Sequence, residues 1–397
     1  MKSAKKIILI TTLAYMSSLA PLATDMYLPA MNDIALQLRA SEFYAQLSLT
    51  AFFVAFSLGQ LIYGPLSDIF GRKKPILAGV AIFTLASIAC IFVDNIAVFI
   101  ALRFLQALGG CAGVVIARAV INDTFELKEA ASAFALMMIV GALAPMLAPS
   151  VGSFLENFFG WRSIFTALSF LGGLLLLAVW LFLAESHTTR SAFSLRAVTH
   201  AYAVVGTDKR FASYVLVGAL AMAMIFAYIT GSSFVFMGHF ELSNTAYGAI
   251  FGLNALAMMI GSAANAILAK RFSPFTLVPY ALCGVLVLCV LLFVGSFFEL
   301  GFIVFEVNLF CAMLCLGFIV PNVTSLAMAR FKQLSGTASA LFGFTQFALA
   351  GGVSALVGAL NANSPLAISL VIILCLLLAS LIYFASHWKL VRKSFKR

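Results

Sequence analysis

Gly64-Pro65-Leu66-Ser67-Asp68-Ile69-Phe70-Gly71-Arg72-Lys73-Lys74-Pro75 separates two long apolar runs, residues 46–66 and 76–94. Each run is about 20 residues long, enough for a helix to cross the hydrocarbon of a bilayer. A short polar segment between two such runs is a membrane-protein turn. Its three consecutive bases, Arg72, Lys73 and Lys74, place it on the cytoplasmic side, where loops carry an excess of Lys and Arg. Gly64 and Gly71 permit a tight turn and close helix approach. Asp68 is able to cap the next helix or to pair with a base across an interface between halves, a charge latch that holds one conformation and releases in the other. The plainer role of the bases is topological.

Outward in both directions the same alternation continues. Apolar runs fall at 7–30, 46–66, 76–94, 96–118, 130–155, 163–184, 211–237, 245–268, 275–297, 300–327, 337–360 and 364–386. These predict twelve transmembrane helices in an all-α membrane protein. Composition agrees: 63% of the 397 residues are hydrophobic and 10% charged, and mean hydropathy is +1.10. A soluble domain is about a quarter charged, so most of this surface must face lipid. The net charge of +10 does not mark a nucleic-acid footprint, because the bases cluster at every second loop: Lys2/Lys5/Lys6, Arg72/Lys73/Lys74, Lys128, Arg190/Arg196/Lys209/Arg210, Lys270/Arg271, Arg330/Lys332 and the tail from Lys389 to Arg397. Arg39 and Arg162 are the exceptions. This places both termini in the cytoplasm, which requires an even number of spans. The apolar stretch after Lys5 and Lys6 is longer than a signal-peptide core and reads as an uncleaved first helix.

The longest polar stretch follows the sixth run. It divides the chain into an N-terminal bundle of six helices (1–186), a cytoplasmic linker (187–210) and a C-terminal bundle (211–397). A faint repeat relates the bundles: Gly261 and Lys270/Arg271 stand 197 residues after Gly64 and Lys73/Lys74, with Asn265 where Asp68 would fall. Two parallel halves mark a transporter fold, with its site near the midplane.

Ionisable residues inside a membrane are costly, so each is a functional candidate. Asp25 lies between Pro21 and Pro29, about five residues before the expected outer end of the first helix. Prolines break the backbone ladder, which is tolerated where it is buried in protein or lines a cavity. Burial disfavours the charged form of a carboxyl, so an acid there can take a proton on one side and release it on the other; a structural carboxylate is the alternative. Arg103, about seven residues into the fourth helix, falls at a similar depth. It either acts on Asp25 or ties backbone carbonyls. Glu306 is either a second titrating acid or, as read here, a side chain reaching the outer interface. Gly141, Pro145, Pro149 and Gly152 put small residues and kinks into the fifth helix, allowing close and mobile packing. Met26, Tyr27, Tyr228, Asn254, Phe344 and Gln346 are candidates for lining an amphipathic cavity, or for helix–helix hydrogen bonds. The seven cysteines lie in apolar segments without a CxxC, and neither they nor the four histidines form a metal-ligand pattern. No metal or cofactor is expected.

Together these motifs resemble the major facilitator superfamily. The Gly64–Lys74 loop resembles its signature between helices 2 and 3, Arg103 with Gln106 its helix 4 motif, and the Gly141–Gly152 stretch its helix 5 antiporter motif. Thr24-Asp25-Met26-Tyr27-Leu28-Pro29, Ala144-Pro145 with Ala148-Pro149, Gly160-Trp161-Arg162 and Pro321-Asn322 are similar to the bicyclomycin/chloramphenicol-resistance branch of drug–proton antiporters. The resemblance implies an inner-membrane exporter of small amphipathic compounds that works by alternating access and takes protons in exchange, with Asp25 as the protonated acid and Arg103 its helper. A dedicated metabolite or siderophore exporter of the same fold is the nearest alternative, and a non-transporting sensor a more distant one. An enzyme would need a nucleophile, histidine or metal cluster within the spans. A monomer is the expected form, with protons, small amphipathic molecules and the lipid bilayer as partners.

Overall fold

A computed structural model describes residues 3–125, 143–144, 147–186, 195–269, 271–331, 334–360 and 364–394. Among these residues all regular structure is helical. Eleven helices are long and apolar enough to cross a membrane, and each coincides with one of the expected runs. The remaining run, 130–155, falls largely outside the described residues, as do Gly141 and Pro145; residues 147–159 are helical.

Contacts divide the chain into two compact units, Met1–Val198 and Thr199–Arg397. The first contains α1 (Ser3–Asp25), a 3-10 turn (Leu28–Ala30), α2 (Met31–Gln37), α3 (Glu42–Phe70), α4 (Lys73–Ile91), α5 (Ile96–Thr124), α6 (147–159) and α7 (Arg162–Phe182). α5 sits centrally, packed against α1, α3 and α4, while α7 lies against α1 and α4. α8 (Leu195–Gly206) occupies part of the expected linker, so that segment is helical in its second half. The second unit continues with α9 (Lys209–Ser233, extended by a π-helical turn Phe234–His239), α10 (Asn244–Leu268), α11 (Pro274–Phe297), α12 (Phe302–Met328), α13 (Ser335–Ala359) and α14 (Pro365–Ser394). Here α9 packs on α12, α13 and α14, and α11 on α12 and α14.

These helices are apolar on nearly every face. Leu85, Phe170, Trp180, Ile303 and Leu381 are exposed, an arrangement stable only against lipid tails. Polar caps mark the ends: the side chains of Asn95, Asp208, Ser243 and Ser273 accept backbone N–H groups at the starts of α5, α9, α10 and α11. Arg162, one of the two basic residues out of pattern, donates to the carbonyls of Ile91 and Val93 and to Asp94 at 3.0, 3.0 and 2.7 Å. It therefore ties the turn between α4 and α5 to the start of α7.

The first span is where the structure departs most from expectation. It runs to Gln37 rather than to about residue 30, because α1 does not end the crossing. It breaks at Asp25, turns through Leu28–Ala30 and resumes as α2. Pro21 lacks an N–H and Pro29 sits at the start of the 3-10 turn, so the helical ladder fails between them. Thr24 Oγ1 donates to the carbonyl of Pro21 at 2.8 Å. Asp25 thus lies twelve residues before the end of the span rather than about five.

Candidate functional site

Asp25 is 3% exposed. Its Oδ1 has no hydrogen-bond partner among the described residues, and no basic side chain among them forms an ion pair with it. A carboxyl held this way at a helix break is poorly suited to permanent charge, since an uncompensated buried ion costs several kcal/mol. The surrounding packing is close: a side-chain carbon on Gly152 of α6 would collide with the backbone of Met26. Gly152 therefore lets α6 lie directly on the residue after Asp25. Pro149, one turn earlier, is also buried.

Arg103 is fully buried and acts on the backbone rather than on the carboxylate. Its Nη1 donates to the carbonyl of Ala23 at 3.0 Å, two residues before Asp25, and to Gln106 Oε1 at 2.5 Å. Gln106 Nε2 donates to Ser87 Oγ at 2.7 Å, and Ser87 to the carbonyl of Phe83. The guanidinium carbon lies 4.3 Å from the ring centre of Tyr27 and 4.6 Å from that of Phe52, with Phe165 at 5.9 Å. Each such cation–π contact, when desolvated, contributes up to about 2 kcal/mol. The aromatic faces offset part of the cost of burying a charge whose Nε and Nη2 lack hydrogen-bond partners among the described residues. Tyr27 is fixed in turn by a 2.8 Å hydrogen bond with Ser48. The broken segment of the first span is thus clamped from α5 on one side and α6 on the other.

The cytoplasmic loop is a second network. Gly71 has φ +84, a conformation that favours glycine, and a side chain there would strike the Glu185 carboxylate. That carboxylate accepts the N–H groups of Arg72 and Lys73 at 2.8 and 3.2 Å, an anion seated at the start of α4. Glu185, not Asp68, therefore caps the helix. Arg72 donates to Asp68 at 2.5 Å, Ser67 at 2.7 Å and Asp123 at 2.8 Å. Burial works against its charge, but the bonds to Asp123 and Asp68 prevail and raise its pKa above the ordinary arginine value. Asp68 finds its base four residues on in its own unit. Lys73 Nζ donates to the carbonyl of Trp180 at 2.9 Å.

In the second unit Asn254 Nδ2 donates to the Tyr228 hydroxyl at 3.3 Å. Phe344 and Gln346 are half-buried on α13. Glu306 corrects its expected place: it is 8% exposed and lies against Asn254 rather than reaching the outer surface. Asn265 Oδ1 accepts from Asn322 Nδ2 at 2.6 Å. Asp123, Glu185, Phe52 and Ser87 were not singled out from sequence. Asp123 was the most legible of these, as an acid at the inner end of a span whose neighbouring loop holds three bases.

The model of the Major Facilitator Superfamily matches residues 13–355. The chain belongs to that superfamily. It is 32% identical over 376 residues to the uncharacterized MFS-type transporter YdgK of Bacillus subtilis, covering 94% of this chain and 93% of the relative. It is 28% identical over 379 residues to the bicyclomycin resistance protein homolog of Haemophilus influenzae, 95% of each chain. Its fold matches a bacterial homolog of the human lysosomal transporter Spinster with a TM-score of 0.77, at 16% identity and over 100% of this chain and 98% of that one. This major facilitator protein is thus a multi-pass membrane transporter of small molecules, not an enzyme, from a branch whose relatives include a protein named for drug resistance.

Proposed function

We propose that the chain is a proton-coupled antiporter of the bacterial inner membrane, with both termini cytoplasmic, that exports small amphipathic compounds by alternating access. The observation that supports it is Asp25, a deeply buried carboxyl at the break of the first span, with an unpartnered oxygen and no ion pair among the described residues. Outside, Asp25 takes a proton as substrate leaves; inside, substrate binding favours the deprotonated form. Linkage makes the two ligands compete, so the proton gradient drives export. Arg103 holds the carbonyl of Ala23, and with it the geometry of the break. The Arg72 network holds the cytoplasmic loop in one arrangement. The resistance name carried by the Haemophilus relative supports a drug-like substrate.

The test is proton release in inverted vesicles energised to an acidic interior, on addition of chloramphenicol-like and cationic amphipathic compounds. Substrate-triggered alkalinisation of the lumen is expected, and its loss in Asp25→Asn. Unchanged exchange in that variant would remove the proton role from Asp25. Silence toward the whole panel from folded protein would favour a dedicated metabolite exporter.

A further inference from the structure

Glu306 is a buried acid that this cycle does not use. It lies four residues inside the start of α12, yet it is buried and turned toward Asn254, and among the described residues neither of its carboxyl oxygens has a hydrogen bond of normal geometry. The oxygen of Asn254 likewise has no partner among the described residues. As at Asp25, a carboxyl buried without a counter-charge is poorly suited to permanent charge, and the sequence of its own unit places no base in the spans. Residues 211–268, 274–328, 336–359 and 365–386 contain no Lys or Arg. The titratable side chains brought by the helices around α12 are tyrosines and cysteines, such as Tyr228, Tyr247 and Cys289. His239, at the end of the π-helical turn, is exposed and stacked edge-on to Phe240. A ligand that brings a positive charge would supply the compensation that these side chains do not.

The surroundings indicate its type. Tyr228, which receives the Asn254 hydrogen bond, stacks on Phe251 at 5.2 Å. Phe236 joins Tyr228, Tyr247 and Phe305 into one aromatic cluster, with ring centres 6.0–6.2 Å apart. Phe305 and Phe240 also border a cavity of about 390 Å³ within the same unit. Calcium takes six to eight oxygen ligands, and magnesium six. One carboxyl and one amide oxygen among aromatic rings supply too few for either, but they suit an organic cation, whose charge is received by a carboxylate and by π faces.

We infer that Glu306, with Asn254 and the Tyr228–Phe251 ring pair, is the charge-recognising subsite of the C-terminal unit and takes the positive centre of a lipophilic organic cation. The inference rests on the exporter reading for its purpose but is tested by binding without any gradient. The purified full-length protein is titrated with tetraphenylphosphonium and, separately, with uncharged chloramphenicol. Wild type binds the cation; Glu306→Gln weakens cation binding at least about tenfold and leaves chloramphenicol binding unchanged; Glu306→Asp retains cation binding within a few-fold. Thermal melting of Glu306→Gln at or above the wild-type temperature shows that the loss is not one of folding. The inference is overturned if wild type does not bind the cation, if Glu306→Gln binds it as wild type does, or if both ligands are lost together. Gradient-driven exchange and its loss in Asp25→Asn read the exporter proposal separately, so either can fail while the other stands.

Discussion

In the loop after the second span, an arginine bridges two aspartates; one repeat later, Asn265 accepts a hydrogen bond from Asn322. The two units solve the same local problem with different chemistry. Arg72 joins the ends of α3 and α5 through Asp68 and Asp123, while in the second unit neutral amides join α10 to α12. The contrast extends into the membrane. The first unit encloses a complete guanidinium, Arg103, which finds a carbonyl, an amide and aromatic faces among its neighbours. The second encloses a lone carboxyl, Glu306, with no cation near it in sequence. Charged networks bind more strongly when intact, and leave larger penalties when cut, than neutral pairs. The N-terminal unit is therefore the electrostatically committed one, and the C-terminal unit is free to respond to the charge of what it binds.

The largest test of this contrast is Arg103→Ala. It leaves the carbonyl of Ala23 and the amide of Gln106 unpaired and opens a void between Tyr27 and Phe52, a loss of about 3–5 kcal/mol. A thermal melt in detergent should show a large drop, and Arg103→Lys should not restore it, because a point charge cannot match the planar contacts. Next is Arg72→Ala, which frees two carboxylates and removes three side-chain hydrogen bonds. About 2–3 kcal/mol is expected, with cleavage by an added protease appearing first in the loop after α3. Asn322→Ala, the neutral counterpart, should cost about 1–2 kcal/mol. A value equal to or above that of Arg72→Ala would abolish the distinction between the units.

The smallest effect is expected at a charged tie of the second unit. Arg330 grips Asp208 through two bonds, at 3.0 and 2.5 Å, and Asp208 also caps α9 by accepting the N–H of Phe211 at 2.7 Å. The Arg330 guanidinium holds the Asp208 carboxyl below its usual pKa of 3.8. A depressed carboxyl stabilises the fold fully above that ordinary value, and the contribution fades as pH falls through the lowered one. The pair is partly solvated, so it is worth less than about 1 kcal/mol and weakens with salt. The protection factor of amides in the first turn of α9, taken relative to intrinsic exchange at each pH, should be the same at pH 7 and pH 5 and should fall only below about pH 3.8. A change near neutrality would assign the titration to another group.

Much of this was legible beforehand. Every apolar run among the described residues became a spanning helix, since length and hydropathy alone decide whether a segment can cross a bilayer. Asp25 and Arg103 stood out because a charge in such a run is costly wherever it lies. Their relation was not legible: Arg103 bonds the backbone beside Asp25, and no spacing in the chain reveals which atoms meet across 80 residues. The first span misled because a proline-rich break looks like an ending, and only its continuation as α2 placed Asp25 twelve residues before the end of the span. Glu306 misled for a related reason. An acid four residues from a helix start can snorkel, and only the neighbouring helix shows that it turns inward to Asn254.

The sequence by itself determined the membrane class, the number and order of runs, the sidedness expected from its bases and the short list of costly charges, because these follow from transfer free energies summed along one chain. Tertiary structure alone decided how those charges are met: Arg103 by rings and a carbonyl, Arg72 by acids from two helices, and Glu306 by no ion pair among the described residues. Compensation depends on groups brought within about 3–5 Å by packing, and that proximity is a property of the fold rather than of any segment.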